Sequence, residues 1–243
     1  MAALAALAVA ALAWPPGAAA APGDLGVTMV TDLDTAPGAG GVSKPLVRLG
    51  SILLFPGDDG STGGELWRSD GTVAGTVLVK DINPGTDEDP PDADSSDPNR
   101  LVAAGGFVYF TAEDGDTGRE LWRSDGTAAG TTLVKDINPG NDDDPPDPDS
   151  SNIDEITAVG ATVLFRADDG TNGTELWKSD GTGPGTQIVN GPDGINPGSG
   201  AGSQPSGMTA LGTTVFFGAD GGTDGSEPWK SDPPYSTATQ VAR

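Results

Sequence analysis

A near-identical tetrapeptide recurs at an almost fixed interval along this chain of 243 residues. Glu-Leu-Trp-Arg occurs twice and is followed by Glu-Leu-Trp-Lys and then by Glu-Pro-Trp-Lys. Successive tryptophans of this motif are 55, 55 and 52 residues apart. A period of this size indicates that one supersecondary unit is copied along the chain. Because the copies can be compared with one another, a residue kept in all of them reports what the unit requires.

Each copy contains four short segments that are typical of β-strands. The first ends at a glycine-containing turn, and the second keeps an apolar residue and a phenylalanine two positions apart, which places both on one strand face. The third is the Glu-Leu-Trp segment, and the fourth follows an Asp-Gly-Thr turn. Four antiparallel strands per repeat predict an all-β fold, a β-propeller of about four four-stranded blades. The predicted blades lie near residues 46–82, 101–137, 156–190 and 208–242.

The longer repeated string is Glu-Leu-Trp-Arg-Ser-Asp-Gly-Thr-x-x-Gly-Thr, followed by Val-Lys-Asp-Ile-Asn-Pro-Gly. It resembles the ELWxxDGT repeat family of secreted prokaryotic proteins over roughly residues 27–243. The resemblance implies a propeller-like repeat array on an exported protein. The fourth copy departs from the pattern, with Pro228 in place of leucine and Asp232-Pro233-Pro234 in place of Asp-Gly-Thr. That departure is typical of a terminal repeat.

Two features precede the first complete repeat. Residues 1–21 form an Ala/Leu/Val run that ends in small residues, which predicts a secretory signal peptide and a secreted or cell-surface mature domain over 22–243. Residues 27–33 match the fourth segment of a repeat and predict a closing strand for the last blade, although residues 236–242 compete for the same position. A four-bladed ring and a piece of a longer array both remain open.

The charge of the chain restricts its partners. Asp and Glu total 36 against 12 Lys and Arg, which gives a net charge of −24 and a pI near 4.1. Such acidity disfavours nucleic acids and anionic lipid surfaces, and we expect a protein or glycan partner and no membrane insertion of the mature chain. The sequence contains no Cys and no His, which excludes disulfides, thiolate chemistry and imidazole zinc sites.

The repeated motif predicts a structural core and a structural turn. Its glutamate and tryptophan share one strand face, so the tryptophan is expected to fill the gap between blades, and the buried carboxylate needs backbone amides or a metal as partner. The Asp of the Asp-Gly-Thr turn is expected to accept hydrogen bonds from the following amides. The core residues are Glu65, Trp67, Glu120, Trp122, Glu175, Trp177, Glu227 and Trp229. The turn residues are Asp70, Asp125, Asp180 and Asp232.

The hairpins between the second and third segments combine acids with glycine. Clustered oxygen ligands at glycine bends suit Ca²⁺, while a glycine-rich hairpin with solvated acids explains the same residues without a metal. In an up-and-down blade these hairpins share one rim with the acidic connectors at 87–97 and 142–149. The candidate calcium ligands are Asp58, Asp59, Glu113, Asp114, Asp116, Asp168, Asp169, Asp220 and Asp224.

Three functions compete at this point. We expect a secreted, non-enzymatic repeat module that is stabilised by calcium and binds a protein or a glycan. A glycan-active hydrolase and an acidic, salt-adapted structural protein are the alternatives. No catalytic residue is assigned, because active sites normally break repeat symmetry and we expect no acid to break the repeat pattern.

Overall fold

The computed structural model describes residues 30, 33, 46–85, 93–140, 149–191, 194–196, 200, 202–223 and 225–241. Within these ranges there are sixteen strands and no helix. No helix of the described part is therefore long and apolar enough to span a membrane. The predicted signal peptide lies outside the described residues, as does the predicted closing strand apart from Val30 and Leu33.

The strands form four antiparallel sheets of four strands, each in chain order, and confirm the predicted all-β, propeller-like fold. Blade one consists of β1 (Val47–Leu49), β2 (Ile52–Gly57), β3 (Glu65–Ser69) and β4 (Val77–Lys80). Blade two consists of β5 (Asn99–Ala104), β6 (Phe107–Glu113), β7 (Arg119–Ser124) and β8 (Thr132–Lys135). Blade three consists of β9 (Asp154–Val159), β10 (Thr162–Asp168), β11 (Thr174–Ser179) and β12 (Gln187–Ile188). Blade four consists of β13 (Ser206–Leu211), β14 (Thr214–Asp220), β15 (Ser226–Ser231) and β16 (Ala238–Gln240).

The first strand of each blade is the inner strand of the array. β1 packs against β5, β5 against β9, and β9 against β13. Among the described strands, β13 does not pack against β1 as these three pairs do. The four described blades therefore form an arc with blade one and blade four at its ends.

The hydrophobic core lies between blades. Each blade has a distal face, turned towards the following blade, and a proximal face, turned towards the preceding one. Trp122 on the proximal face of blade two is 5% exposed and packs into the cluster of blade one. Lys80 of blade one lies over its ring at 5.3 Å and donates to the carbonyl oxygen of Thr131, so the lysine stem covers the indole.

Blade four has its own outer strand. β16 pairs with β15, so Ala238–Gln240 occupy the position for which residues 27–33 compete. Leu33 lies instead beside blade one, where a Cβ at Gly57 would be 3.0 Å from its Cδ1 and 2.9 Å from Cδ1 of Trp67. Leu33 thus lies near the proximal face of blade one, while the other residues of the predicted closing strand, apart from Val30, lie outside the described part.

Candidate functional site

The repeated glutamates are bound by backbone amides. In blade one, Glu65 is fully buried and accepts hydrogen bonds from the amide of Ile82 at 2.9 Å and the amide of Ser96 at 3.0 Å. The hydroxyl of Ser96 donates a third bond at 2.7 Å. One carboxylate therefore holds both ends of the connector that leads from blade one to blade two.

Blades two and three repeat this carboxylate clamp. Glu120 accepts from the amides of Ile137 at 3.1 Å and Ser151 at 3.0 Å. Glu175 accepts from the amide and hydroxyl of Ser203 at 2.9 and 2.6 Å. The serine follows its glutamate by 31, 31 and 28 residues in the three blades. Sequence reasoning missed these serines, although their near-constant offset was a usable signal.

Burial changes the protonation of two clamp residues. Desolvation raises the pKa of Glu120 to about 7, although hydrogen bonds from Ser151 and Ile137 act in the opposite direction. Burial likewise raises the pKa of Glu65 against the bonds from Ser96 and Ile82. The charge state of these two buried carboxylates therefore depends on pH, and the same carboxylates anchor the connectors.

The fourth copy of the core motif differs from the other three. Glu227 and Trp229 are half-buried, whereas the first three glutamates are fully buried and their tryptophans nearly so. The Trp229 indole N–H donates to the carbonyl oxygen of Ala219 at 3.0 Å. The expected full burial is thus not met by Glu227 and Trp229, although Trp229 packs against the cluster between blades three and four.

The Asp-Gly-Thr turns are capped by their own aspartates. Asp70 accepts from the amide of Thr72 at 2.9 Å and from its hydroxyl at 2.7 Å, and these bonds lower the pKa of the carboxyl. Asp125 and Asp180 repeat both bonds and the lowered pKa. Asp232 instead accepts from the hydroxyl of Thr214 and pairs with Lys230. The first three turns are closed locally, and the fourth uses side-chain partners.

The acids of the hairpins also bind the backbone of their own turns. Asp114 accepts from the amides of Asp116 at 3.0 Å and Thr117 at 2.8 Å. Equivalent bonds from amides two and three residues further on are accepted by Asp59 and Asp169. The preceding acids, Asp58, Asp168 and Asp220, each accept from the amide of the glycine two residues later. This bonding accounts for the position of six candidate ligands without a metal.

The remaining candidate calcium ligands that the structure describes, Glu113 and Asp116, do not assemble into a site. Glu113 lies 3.6 Å from Arg119, Asp116 donates its amide to the turn, and Asp224 lies outside the described residues. Within the described residues, no group of three or more acidic side chains is arranged to hold a metal ion. Calcium binding at these hairpins stays a prediction.

Two aspartates at equivalent positions of blades one and two each have a buried carboxylate oxygen without a hydrogen-bond partner. Oδ1 of Asp136 is buried without a hydrogen-bond partner, and Oδ1 of Asp81 is in the same condition in blade one. Burial, followed by the negative charge of Asp114, raises the pKa of Asp136. The rim therefore contains mutually repelling carboxylates at this point.

A second set of residues breaks the repeat symmetry. The inner strands of blades two and four carry a register shift just after their first residue, and β9 carries one at the equivalent place. The residues at this position are Arg100, Glu155 and Gly207, with φ angles of 55°, 52° and 66°. Side chains rarely adopt such positive φ angles, whereas glycine does so freely. The same backbone conformation is thus adopted by an arginine in blade two, a glutamate in blade three and a glycine in blade four.

Charged and polar side chains meet around these positions. Arg100 and Asp154 form an ion pair at 2.6 Å between blades two and three. Asp154 is also opposite Arg166 in the backbone pairing of β9 with β10. The Arg166 guanidinium donates to Gln204 Oε1 at 3.5 Å. Oε2 of Glu155 accepts from the amide of Met208 at 3.3 Å. We call Arg100, Asp154, Glu155, Arg166 and Gln204 the charged cluster.

The charged cluster lies on the rim that carries the hairpins. The amide of Glu113 donates to the carbonyl of Ser96, and the amide of Asp168 donates to that of Ser151, so each hairpin borders a connector and the start of an inner strand. Asp154 and Glu155 correct the expectation that no acid breaks the repeat pattern. The signal was available, since repeat alignment places Asn-Arg, Asp-Glu and Ser-Gly at this position.

No family model matches the chain, and no curated protein matches it. Solved structures that resemble it include a puromycin hydrolase mutant complexed with PGG, with a TM-score of 0.49 and 15% identity over 80% of this chain and 27% of that one. One of two prolyl endopeptidases gives 0.46 and 12%, over 80% and 25%. The computationally designed Ika4 protein gives 0.40 and 18%, over 83% and 98%. The chain spans about a quarter of the length of the two hydrolases. The fold assignment itself comes from the strand pairing.

Proposed function

We propose that this chain is a secreted, non-enzymatic binding module that holds a polar partner, a protein or a glycan, at the charged cluster. The observation that carries this proposal is the retention of Arg100 and Glu155 in a left-handed backbone conformation. Such a conformation costs roughly 1–2 kcal/mol for a residue with a side chain. Blade four places glycine at the same position, so the fold itself does not require a side chain there.

Local hydrogen bonds from the Arg100 amide to Asn99 Oδ1 and from the Glu155 amide to Asp154 Oδ1 support this conformation, whereas the side-chain ion pair of Arg100 adds little. The Arg100–Asp154 pair is exposed, with 45% and 37% of the two side chains accessible. An exposed ion pair contributes about 0–1 kcal/mol. Strained residues that the surrounding structure holds in place cluster at binding and catalytic sites. The two side chains therefore serve better as contacts for a partner than as stabilising elements.

The chemistry of the cluster defines the partner. Guanidinium groups bind carboxylates through paired hydrogen bonds, and carboxylates accept bonds from hydroxyl and ammonium groups. A net charge of −24 on the whole chain disfavours polyanions, so nucleic acid is not the partner. Asp154 and Glu155 are bonded to the Arg100 side chain and the Met208 amide, an arrangement that supports recognition in place of acid–base chemistry. Secretion is supported by the apolar N-terminal segment of the sequence.

Replacing Arg100 and Glu155 by glycine tests the proposal. This double variant keeps the backbone conformation and removes both side chains, so its melting temperature should stay close to that of the parent. Asn152→Gly is the matched control, since Asn152 is exposed, has a φ of 51° and lies outside the cluster. The probe is a printed array of glycans and peptides.

The parent and Asn152→Gly should bind the same array members, and the double variant should bind them at least tenfold more weakly. A parent that binds nothing on the array, or a double variant that binds as the parent does, would contradict the proposal.

Calcium stabilisation of the hairpin rim is a separate part of the proposal. It is supported by the unpaired Oδ1 of Asp136 and by the repulsion between Asp136 and Asp114. A cation bound between such carboxylates would relieve the repulsion and stabilise the folded state. A calcium titration of the melting temperature tests this part independently of the charged cluster.

A further inference from the structure

The distal face of blade four is exposed where the distal faces of the other blades are buried. At the end of the inner strand, Ala104 and Val159 are buried against the following blade, whereas the equivalent Leu211 is 72% exposed. On the second and fourth strands, Phe216 is 36% and Val241 is 48% exposed. Their equivalents in the first three blades are all buried, namely Leu54, Tyr109, Leu164, Val79, Val134 and Val189.

The opposite end of the arc is closed. Phe55 and Trp67 on the proximal face of blade one are 3% and 7% exposed within the single chain, and Leu33 lies near them. A second molecule therefore finds no free sheet face at blade one. Among the described blades, blade four is the one whose sheet face is open to a partner.

A groove of about 420 Å³ lies on the hairpin half of this open face. Gly207 takes the position that Arg100 occupies in blade two. Gly218 takes the position of Thr111, and Pro228 lies opposite it on β15. The groove is therefore present because blade four lacks two side chains at this end of the sheet.

The open face carries almost no charge, although the chain is strongly acidic. Of the side chains that the strand pairing places on it, Asp220 and Lys230 are the charged ones, and the rest are apolar, serine or threonine. Asp220 lies at the rim, where it accepts a bond from the amide of Gly222 at 2.7 Å. Lys230 pairs with Asp232 at 2.9 Å. Two copies with a net charge of −24 each can thus meet here without bringing carboxylates together.

We infer that two copies of this chain associate through the distal face of blade four around a two-fold axis. Such an isologous contact sets the same patch of both copies against each other. An axis that crosses the strands at the level of Phe216 brings the two Phe216 rings together. Leu211 is level with Thr214 and the groove with Gly218, on opposite sides of Phe216 along β14. The axis therefore places Leu211 of each copy over the groove of the other.

The size of the face sets the strength of the association. Leu211 and Phe216 leave water in the dimer, as their equivalents do between the internal blades. Four strands about 4.8 Å apart and roughly six residues long cover on the order of 400 Å² per copy, which is about half of the area that each partner buries in a standard interface. The dimer is therefore weak and depends on concentration. Repulsion between the two acidic copies opposes it, so added salt should lower the dissociation constant.

Sedimentation velocity over a range of protein concentrations measures the association. The mass of the 24.2 kDa chain should rise towards twice its monomer value, and at lower concentration when NaCl is added. Leu211→Asp should raise the dissociation constant at least about tenfold, because each dimer contains this contact twice. Gly218→Thr should act in the same direction, since it fills the groove with the side chain of blade two and its Cβ meets no atom closer than 3.3 Å. Val73→Asp is the control, because Val73 is 65% exposed and lies on the turn between β3 and β4.

Chemical crosslinking locates the axis. The sequence contains no cysteine, so a single one can be introduced at Thr209, which is opposite Phe216 in the pairing of β13 with β14. With a short bis-maleimide, Thr209→Cys should give a covalent dimer, because residues at this level face their own counterparts across the axis. Val73→Cys should remain monomeric under the same conditions.

Three outcomes contradict the inference. A parent that stays monomeric at the highest soluble concentration overturns it and leaves the open face to a different protein. A dimer that survives both Leu211→Asp and Gly218→Thr overturns it as well, once circular dichroism and melting curves have shown that the variants are folded. Oligomers larger than a dimer overturn the two-fold axis, since an isologous contact is complete with two copies.

Discussion

Replacing Glu120 by glutamine should remove a defined part of the pH dependence of folding. Glu120 is fully buried, and desolvation raises its pKa from 4.5 to about 7. At 1.36 kcal/mol per pKa unit, this difference corresponds to about 3 kcal/mol. The group is inside the protein, so solvent screening does not reduce this value as it would at the surface.

The sign follows from the direction of the change in pKa. Because the folded value lies above the unfolded one, the folded chain binds more protons between pH 4.5 and about 7. The contribution to stability is complete below the unfolded pKa and is lost as the pH rises through the folded pKa. Between pH 5 and pH 7 the loss amounts to about 2 kcal/mol. Glu65 acts in the same direction, whereas the turn aspartates with lowered pKa, such as Asp125, act in more acidic solution.

Urea denaturation at pH 5 and pH 7 measures the effect. The parent should be more stable at pH 5, and Glu120→Gln should reduce the difference between the two pH values by about 2 kcal/mol. Glu227→Gln is the matched control, since Glu227 is the half-buried equivalent in blade four and its replacement removes the same charge. The reasoning fails if both variants change the difference equally, or if the Glu120 carboxyl titrates near 4.5 by carbon NMR.

Three further predictions concern packing and cations. Trp122→Ala should destabilise the chain by about 3–5 kcal/mol, as large-to-small core substitutions do, and Trp229→Ala by less than half of that, by urea denaturation. Gly50→Ala should cost about 1 kcal/mol for its positive φ. Gly202→Ala should cost at least twice as much in the same assay, since its Cβ would collide with the backbone carbonyl oxygen of Thr174, whereas nothing lies within 4 Å at Gly50. Calcium at constant ionic strength should raise the melting temperature, by an amount worth about 2.7 kcal/mol at one hundred times its dissociation constant. Asp114→Asn should weaken that response, and a parent insensitive to calcium would leave the rim as a metal-free acidic surface.

The strands were predictable because their signals are local. Alternation of apolar residues marks each second strand, and glycine at Gly50 or Gly160 supplies the positive φ of the adjoining turn. The repetition also predicted a long-range contact. A tryptophan at the same position in every copy is expected to pack in the same surroundings in each blade. This reasoning placed Trp122 between blades, where it is 5% exposed.

Features that depend on distant partners are harder to predict. The sequence indicates that Glu65 needs a partner but leaves open whether amides or a metal supply it, and Ser96 lies 31 residues away. The strained residues Arg100 and Glu155 were not predicted, because a comparison of repeats selects the positions that stay the same and these residues differ between blades. Burial of Glu227 and Trp229 is less complete than burial of the same residues in the other three copies, and the motif itself does not encode this difference.

The carboxylate clamp has a consequence for how such chains can diversify. Around each of the first two connectors, backbone bonds join Asp94 to Gly85 and Asp149 to Gly140, at 3.2 and 3.1 Å. These bonds hold the two ends of each loop at adjacent points, so a loop of another length can start and finish at the same two points. Doubling such a loop costs only about 0.6 kcal/mol in closure entropy. The scaffold could therefore accept foreign peptides at these two points, and evolution could exchange them independently of the fold.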